Sequence, residues 1–165
     1  MAKATSGGVP AVGARAPGFE LTSDGGDAVS LAGLKGRWVV VYFYPKDDTP
    51  GCTVEAQEFT ALADEFAREG VTVLGVSKDS VASHCRFRDK HSLKVRLLSD
   101  PELVAQKAYG AWGEKNMYGK TVEGTLRSTF LIDPDGDIDS VWTSVRAAGH
   151  AAKVLEAVRE SKSTG

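Results

Sequence analysis

Two runs of β-branched and aromatic residues stand out from the polar background of the first half of the chain. Residues 37–44 and 71–77 are apolar at successive positions rather than at alternate ones, which is typical of strands buried on both faces of a sheet. Between them the apolar residues recur at helical spacing, which predicts a helix over 53–69 that ends at Gly70. The pattern therefore begins as strand, helix, strand, as in proteins with parallel sheets.

The rest of the chain continues this alternation of short strands and helices. Upstream, 18–21 and 28–31 flank a turn of Asp and Gly residues and predict a hairpin. Downstream we predict, in chain order, a helix over 80–91, a strand over 95–99, a helix over 101–109, a loop over 110–124, strands over 126–133 and 137–143, and a helix over 149–161. This order predicts an α/β fold with a mixed central sheet flanked by helices, for which a thioredoxin-like fold is the simplest architecture.

Length and charge narrow the class of protein further. The 165 residues suffice for one domain, which we expect to span 9–165 after a disordered tail over 1–8. The net charge of −2 predicts neither a nucleic-acid surface nor a polybasic membrane patch. The longest apolar run is far shorter than a membrane span, and the first ten residues lack the apolar core of a secretory signal. We therefore expect a cytoplasmic protein, and its charge and loop content favour a monomer.

The chain contains two cysteines, Cys52 and Cys85, and three histidines, His84, His91 and His150. No pair of them has the spacing of a metal site, so we expect neither a metal nor an organic cofactor. Two cysteines in a chain of this kind leave three interpretations: inert core thiols, one reactive thiol, or a redox pair. His84 and His91 lie on one face of a polar helix, which we interpret as a solvated surface.

Cys52 lies between a turn-rich loop and the predicted helix over 53–69. The helical spacing places its sulfur at the first turn, where unpaired backbone N–H groups and the positive end of the helix dipole favour a thiolate. In the preceding loop, Pro45 and Pro50 restrict the backbone, and Thr49 offers a hydroxyl that can donate and accept hydrogen bonds. On these residues alone, a reactive thiol and an inert core thiol are equally good interpretations.

The spacing of Pro45, Thr49 and Cys52, Pro-x-x-x-Thr-x-x-Cys, resembles the active-site pattern of the peroxiredoxins. The segment YFYPKDDTPGC over 42–52 is similar to the bacterioferritin comigratory protein, or peroxiredoxin Q, branch of that family. Further segments, over 12–21, 109–121 and 127–136, resemble other parts of the same branch. The resemblance thus covers most of the chain and implies a thioredoxin-like fold.

The resemblance also implies an activity and a set of site residues. It implies a thiol-dependent peroxidase in which Cys52 attacks hydrogen peroxide or an alkyl hydroperoxide and becomes a sulfenic acid. By position, Arg127 matches the arginine of the family that stabilises the thiolate and binds the peroxide. Glu55 matches the acidic residue that orients that arginine, and Pro45 and Thr49 match the loop that holds the substrate.

The role of Cys85 stays open between two mechanisms. A sulfenic acid must be resolved by a thiol, or it oxidises further. Many members of the branch carry the resolving cysteine five residues after the first, where this chain has Gln57, while some use a cysteine in the following helix, as Cys85 would be. The resemblance therefore implies a Cys52–Cys85 disulfide that thioredoxin or a similar dithiol reduces. The alternative is a one-cysteine mechanism with an external thiol, in which Cys85 is a small core residue.

Other functions and motifs have less support. A disulfide oxidoreductase would need Cys-x-x-Cys, but Thr49 stands at the first of those positions. A redox-switched sensor or chaperone-like binding protein would use the same two cysteines without fast turnover. The stretch 113–121 nearly matches a phosphate-binding loop and 133–139 partly matches a calcium loop; we interpret them as a surface loop and a hairpin turn.

Overall fold

The computed structural model describes residues 8–164. Within this range it contains nine strands and five α-helices, namely β1 (Glu20–Ser23), β2 (Ala28–Ser30), β3 (Trp38–Phe43), α1 (Pro50–Ala61), α2 (Ala63–Arg68), β4 (Val71–Ser77), α3 (Val81–His91), β5 (Arg96–Ser99), α4 (Val104–Ala108), β6 (Trp112–Met117), β7 (Lys120–Thr125), β8 (Ser128–Ile132), β9 (Ile138–Trp142) and α5 (His150–Thr164). The predicted disordered tail over 1–8 lies outside the described residues except for Gly8, whose backbone packs against Gly110.

Seven strands form one sheet in the order β2-β1-β5-β4-β3-β8-β9. β3, β4 and β5 run parallel, because a helix connects each to the next, and the remaining strands join antiparallel through hairpins and edge pairing. The predicted mixed sheet with an N-terminal hairpin is therefore confirmed. Phe43 at the end of β3 pairs with Ser128 at the start of β8, so the loops at this end of the two strands meet.

The two faces of the sheet bury separate cores because successive residues of a strand point to opposite sides. Val40, Tyr42 and Tyr44 lie in the core beneath α1, α2 and α5, where Tyr42 stacks on Phe59 with 4.7 Å between ring centroids. Val39, Val41 and Phe43 face the other core, which α4 and the N-terminal segment cover. Cys52 belongs to the first of these cores.

The predicted helix over 53–69 is two helices, α1 and α2. The backbone of Leu62 departs from helical angles, with φ −100° and ψ 9°, so α1 ends there and α2 begins one residue later. The break leaves Phe66 in the same core as Phe59, so the apolar spacing that predicted one helix is preserved across it.

Two predictions between residues 101 and 124 are wrong. The helix α4 begins at Val104 rather than at 101, because the Asp100 carboxylate accepts hydrogen bonds from the amides of Val104 and Gln106 and so fixes the first turn. The stretch 110–124, predicted as a loop, forms the separate hairpin of β6 and β7. Its turn residues Tyr118 and Gly119 both have positive φ, as a tight two-residue hairpin turn requires.

No helix within residues 8–164 is both long enough and apolar enough to cross a bilayer.

Candidate active site

Cys52 occupies the first turn of α1, and the preceding loop sets the start of that helix. Thr49 has extended backbone angles, and Pro50 follows at the first helical position, where its fixed φ suits a helix start and no N–H is needed. The Cys52 side chain is only 1% exposed. Its backbone N–H and that of Gly51 belong to the first turn, which has no intrahelical acceptors for such groups. The sulfur therefore sits at the positive end of a helix dipole.

Arg127, directly before β8, brings a second positive charge to the Cys52 sulfur. Its Nη2 donates to Cys52 Sγ over 3.4 Å, and its Nη1 donates to Glu55 Oε1 over 2.6 Å. Because the guanidinium is planar, the two contacts together fix its orientation. Burial opposes the charge on Arg127, but Glu55 and Cys52 outweigh it and raise the pKa of the guanidinium. A permanent cation therefore faces the thiol.

Glu55 forms an ion pair with the Arg127 guanidinium and is itself fully buried. It lies three residues after Cys52, on the same side of α1. Burial raises the pKa of Glu55 to about 7; Arg127 opposes this shift and Glu58 adds to it. Its second carboxylate oxygen has no hydrogen-bond partner among the described residues. The negative charge that orients Arg127 is thus marginal near neutral pH.

Gly51 gives the guanidinium room to reach the sulfur. A Cβ at this position would lie 3.1 Å from Arg127 Nη2, closer than ordinary carbon contacts. The requirement for glycine therefore comes from a side chain of the site and does not involve a left-handed backbone.

Thr49 and Pro45 lie on the loop that leads into α1. The Thr49 hydroxyl donates to the Lys46 carbonyl over 2.8 Å, so its oxygen keeps its lone pairs as acceptors. Pro45 and Arg127 both line an open surface depression, with Ser128 among its other walls. Of the predicted residues of this loop and helix, Cys52 and Glu55 contact Arg127, Pro45 lines a depression together with it, and Thr49 directly precedes α1.

Cys85, in the middle of α3, lies on a different part of the molecule. Its thiol is half-buried and donates to the carbonyl of Asp24, at the turn after β1. Arg127 precedes β8, and four strand spacings separate β1 from β8, which amounts to roughly 19 Å across the sheet. A disulfide needs Cα atoms about 4.4–6.8 Å apart. The two cysteines are therefore not brought together in this conformation.

The structure corrects the interpretation of His84 as a surface residue. Its side chain is fully buried, with Nδ1 2.7 Å from Asp47 Oδ2 and Nε2 2.9 Å from the Leu98 carbonyl. Tyr44 and Ser83 also donate to the Asp47 carboxylate. The spacing of His84 and Phe87 along the helix, i and i+3, was the available signal, because both residues face the core.

Among residues 8–164 no group of three or more His, Cys, Asp or Glu side chains is arranged to hold a metal ion. The acidic turn over 133–139 joins β8 to β9, where Asp133 accepts the amides of Asp135 and Asp137 and so closes the turn itself.

Comparison with known proteins agrees with this fold. Residues 12–141 match the model of the AhpC/TSA family. A putative peroxiredoxin bcp of Coxiella burnetii is 48% identical, over 87% of this chain and 95% of that protein. The bacterioferritin comigratory protein of Xanthomonas campestris, whose structures concern its alkyl peroxide reduction activity, superposes with a TM-score of 0.82 at 45% identity and covers 86% of this chain and 90% of its own. PrxQ of Xylella fastidiosa superposes with a TM-score of 0.87 at 38% identity, over 92% and 97%.

The chain therefore belongs to the AhpC/TSA family and, within it, to the peroxiredoxins of the Bcp or PrxQ type, which are thiol-dependent peroxidases with a thioredoxin-like fold. Its substrate is accordingly a peroxide, and a thiol supplies the reducing equivalents.

Proposed function

We propose that the Cys52 thiolate is the group that attacks the peroxide. The observation that carries this proposal is the contact of Arg127 Nη2 with Cys52 Sγ at the first turn of α1, with Glu55 fixing the same guanidinium. The sulfur attacks one peroxide oxygen in line with the O–O bond. An S–O bond forms, the O–O bond breaks, and the departing oxygen takes a proton and leaves as water or an alcohol. Cys52 becomes a sulfenic acid.

The surrounding groups stabilise the charge as it moves from sulfur to oxygen. Arg127 donates to the sulfur in the resting state and is placed to donate to the oxygens as they take over the charge. The N–H groups of the first turn of α1 add donors from the backbone. Thr49, whose only proton is committed to Lys46, accepts a hydrogen bond from the peroxide and so orients it. Pro45 shapes the loop and the depression through which the substrate arrives.

We further propose that Cys85 resolves the sulfenic acid through an intramolecular disulfide. The sulfur of Cys85 attacks Cys52 sulfur, an S–S bond replaces the S–O bond, and the departing hydroxide leaves as water with the proton of Cys85. Because the two residues lie far apart, both the first turn of α1 and part of α3 must unfold. The polar surface and short length of α3 favour such local opening.

A one-cysteine mechanism is the second candidate, and one specific contact favours it. The Cys85 thiol already donates to the Asp24 carbonyl, and α3 is anchored to the same turn through Arg88. In this mechanism an external thiol resolves Cys52, and Cys85 stays in place as part of the packing between α3 and the β1–β2 turn.

Intact mass under non-reducing conditions separates the two mechanisms. Wild type and Cys85→Ser receive one equivalent of hydrogen peroxide. Loss of two hydrogens in wild type, together with an oxygen adduct in Cys85→Ser, supports the Cys52–Cys85 disulfide. An oxygen adduct or an intermolecular dimer in wild type shows that an external thiol resolves Cys52. An unmodified wild-type mass contradicts the peroxidase mechanism itself.

We propose that thioredoxin or a similar dithiol protein reduces the oxidised enzyme, that the enzyme acts in the cytoplasm, and that it acts as a monomer. A disulfide that forms by local unfolding of α1 and α3 leaves both sulfurs accessible to a dithiol partner. The large apolar side chains that are exposed among residues 8–164 lie on the N-terminal segment, α1, α4 and the β6–β7 hairpin, which suits a monomer. The oligomeric state is measured directly by sedimentation of the reduced and the oxidised protein.

A further inference from the structure

The loop before Cys52 holds α3 at two points through consecutive aspartates. The first point is buried. Asp47, only 7% exposed, accepts from Ser83 over 2.8 Å and lies 2.7 Å from His84 Nδ1, and both partners are on α3. Tyr44, at the end of β3, donates to the same carboxylate. The inner contact therefore joins the active-site loop to the N-terminal half of α3.

The second point is at the surface, toward the C-terminal end of α3. Asp48 Oδ2 accepts from Lys90 Nζ over 2.7 Å, and Asp48 Oδ1 lies 2.9 Å from His91 Nε2. Asp48 itself has a φ of 60°, a conformation that most residues avoid. Such a backbone persists when its surroundings hold it, and here the surroundings are α3.

Asp47 and Asp48 connect the two segments that must unfold for the disulfide to form, the first turn of α1 and α3. Thr49, the residue that precedes α1, follows Asp48 directly, and Cys52 is four residues after Asp48. Cys85 lies between the two contact points on α3. The loop that carries both contacts with α3 is therefore directly continuous with the first turn of α1.

We propose that Asp48, supported by the buried contact of Asp47 with His84, is a positioning residue that couples the opening of α1 to the release of α3. This proposal rests on the proposed role of Cys85 as the resolving cysteine. The coupling sets how the Cys52 sulfenic acid divides between two fates. In one, Cys85 displaces hydroxide, which leaves as water, and the disulfide forms. In the other, a second peroxide transfers one oxygen to the sulfenic sulfur, and a sulfinic acid and water or an alcohol result.

Asp48→Asn tests the coupling with little disturbance of the backbone. Asparagine adopts positive φ readily, so the substitution removes the charge and keeps the loop conformation. Lys90→Gln removes the same contact from the helix side, with nearly equal helix propensity. Glu65→Gln is the matched control, because Glu65 on α2 forms a similarly exposed pair with Arg159 on α5 that touches neither α3 nor the active-site loop.

The rate of disulfide formation after one equivalent of hydrogen peroxide, followed by rapid quench and non-reducing mass spectrometry, is the first readout. We expect it to rise about two- to fivefold in Asp48→Asn and in Lys90→Gln, as the loss of an exposed charged contact predicts, and to stay at the wild-type value in Glu65→Gln. The sulfinic fraction at excess peroxide falls as well, because the two fates compete for one sulfenic acid, and it approaches the same factor where disulfide formation is the faster fate. An unchanged rate in both variants overturns the proposal.

Hydrogen exchange of the reduced protein is the second readout and does not depend on the role of Cys85. We expect the amides of α3 and of the first turn of α1 to exchange faster together in Asp48→Asn, while those of β4 keep their wild-type rates. Faster exchange in α3 alone overturns the coupling. If wild type forms no intramolecular disulfide at all, the proposed role of Cys85 fails, and the exchange data still decide whether Asp48 joins the two elements.

Discussion

At the scale of single residues, the site depends on one guanidinium that contacts two partners. Arg127 contacts the Cys52 sulfur with one nitrogen and the Glu55 carboxylate with the other, and Gly51 leaves the space in which it does so. The sequence predicted Cys52 and Thr49 because their spacing resembles a known active site, and it predicted Arg127 because the segment over 127–136 resembles another part of the same family. It did not predict how the residues touch, since that depends on where β8 begins.

Replacement of Arg127 by lysine should separate charge from geometry. A lysine carries the charge but cannot span Cys52 and Glu55 with two fixed donors, so we expect the rate constant of Cys52 oxidation to fall by roughly 10²-fold, in the range seen when a preorganised donor is lost. Stopped-flow measurement of the first oxidation checks this. Arg96→Lys, which changes an exposed pair far from the site, serves as the control. A rate constant within twofold of wild type in Arg127→Lys would show that the charge at this position suffices and that the fixed placement of two donors is unimportant for Cys52 oxidation.

Glu55 should make peroxide reduction pH-dependent beyond the ionisation of the thiol. Its pKa is raised to about 7 by burial, so the carboxylate loses its charge as the pH falls through that value and no longer anchors Arg127 as an anion. Glu55→Gln is neutral at every pH. The ratio of the oxidation rate constants, wild type over Glu55→Gln, should therefore rise as the pH increases from 6 to 8. A ratio that stays constant over this range contradicts the role of the Glu55 charge.

At the scale of elements, the predictions succeeded where the apolar pattern alone decides the structure. β3 and β4 are continuous apolar runs, and their bounds were predicted within a residue or two. The start of α4 depends on hydrogen bonds to the Asp100 side chain. The chain reverses direction in the β6–β7 hairpin at Tyr118 and Gly119, a pair that is not a strong turn signal in a sequence. His84 was missed because a helix rich in charge gives little indication that one of its polar residues faces the core.

The stability of α3 should depend measurably on its cap. The hydroxyl of Ser80 accepts the Ser83 amide over 3.1 Å at the N-terminus of the helix. Loss of such a cap costs about 1 kcal/mol, which corresponds to roughly fivefold more frequent opening. We expect the α3 amides of Ser80→Ala to exchange about fivefold faster, with those of α5 as the internal reference. Equal exchange in variant and wild type would show that the tertiary contacts alone hold α3.

At the scale of the whole molecule, two buried groups give the stability opposite dependences on pH. Folding raises the pKa of Glu55 to about 7, so its contribution to stability is present at low pH and is lost as the pH rises from about 4.5 to 7. Burial lowers the pKa of His150 to about 4, with Lys153 and Arg127 adding to the shift, so its contribution is present above about 6.5 and is lost as the pH falls toward 4. The two effects partly cancel between these limits.

The substitution His150→Gln should remove the pH dependence that His150 gives to the stability. Glutamine can keep a hydrogen bond to Thr129, which lies 2.8 Å from His150 Nε2, but it does not titrate. We expect wild type to lose stability relative to the variant as the pH falls from 6.5 to 4. The difference in the free energy of unfolding should change by about 2 kcal/mol in favour of the variant, a value reduced to allow for partial solvent access to His150. Urea unfolding at several pH values measures it. A difference that does not change with pH would mean that His150 is not buried in its neutral form.

Single-turnover consumption of hydrogen peroxide is the decisive measurement of whether Cys52 reduces the peroxide. With reduced protein in excess and no external reductant, wild type and Cys85→Ser should each consume peroxide rapidly, because the first oxidation needs only Cys52 and its neighbours. Cys52→Ser, which keeps the fold and leaves Cys85 in place, should consume it more slowly by about 10³-fold or more, since a serine hydroxyl is not ionised at neutral pH. Rapid consumption by Cys52→Ser would contradict the account.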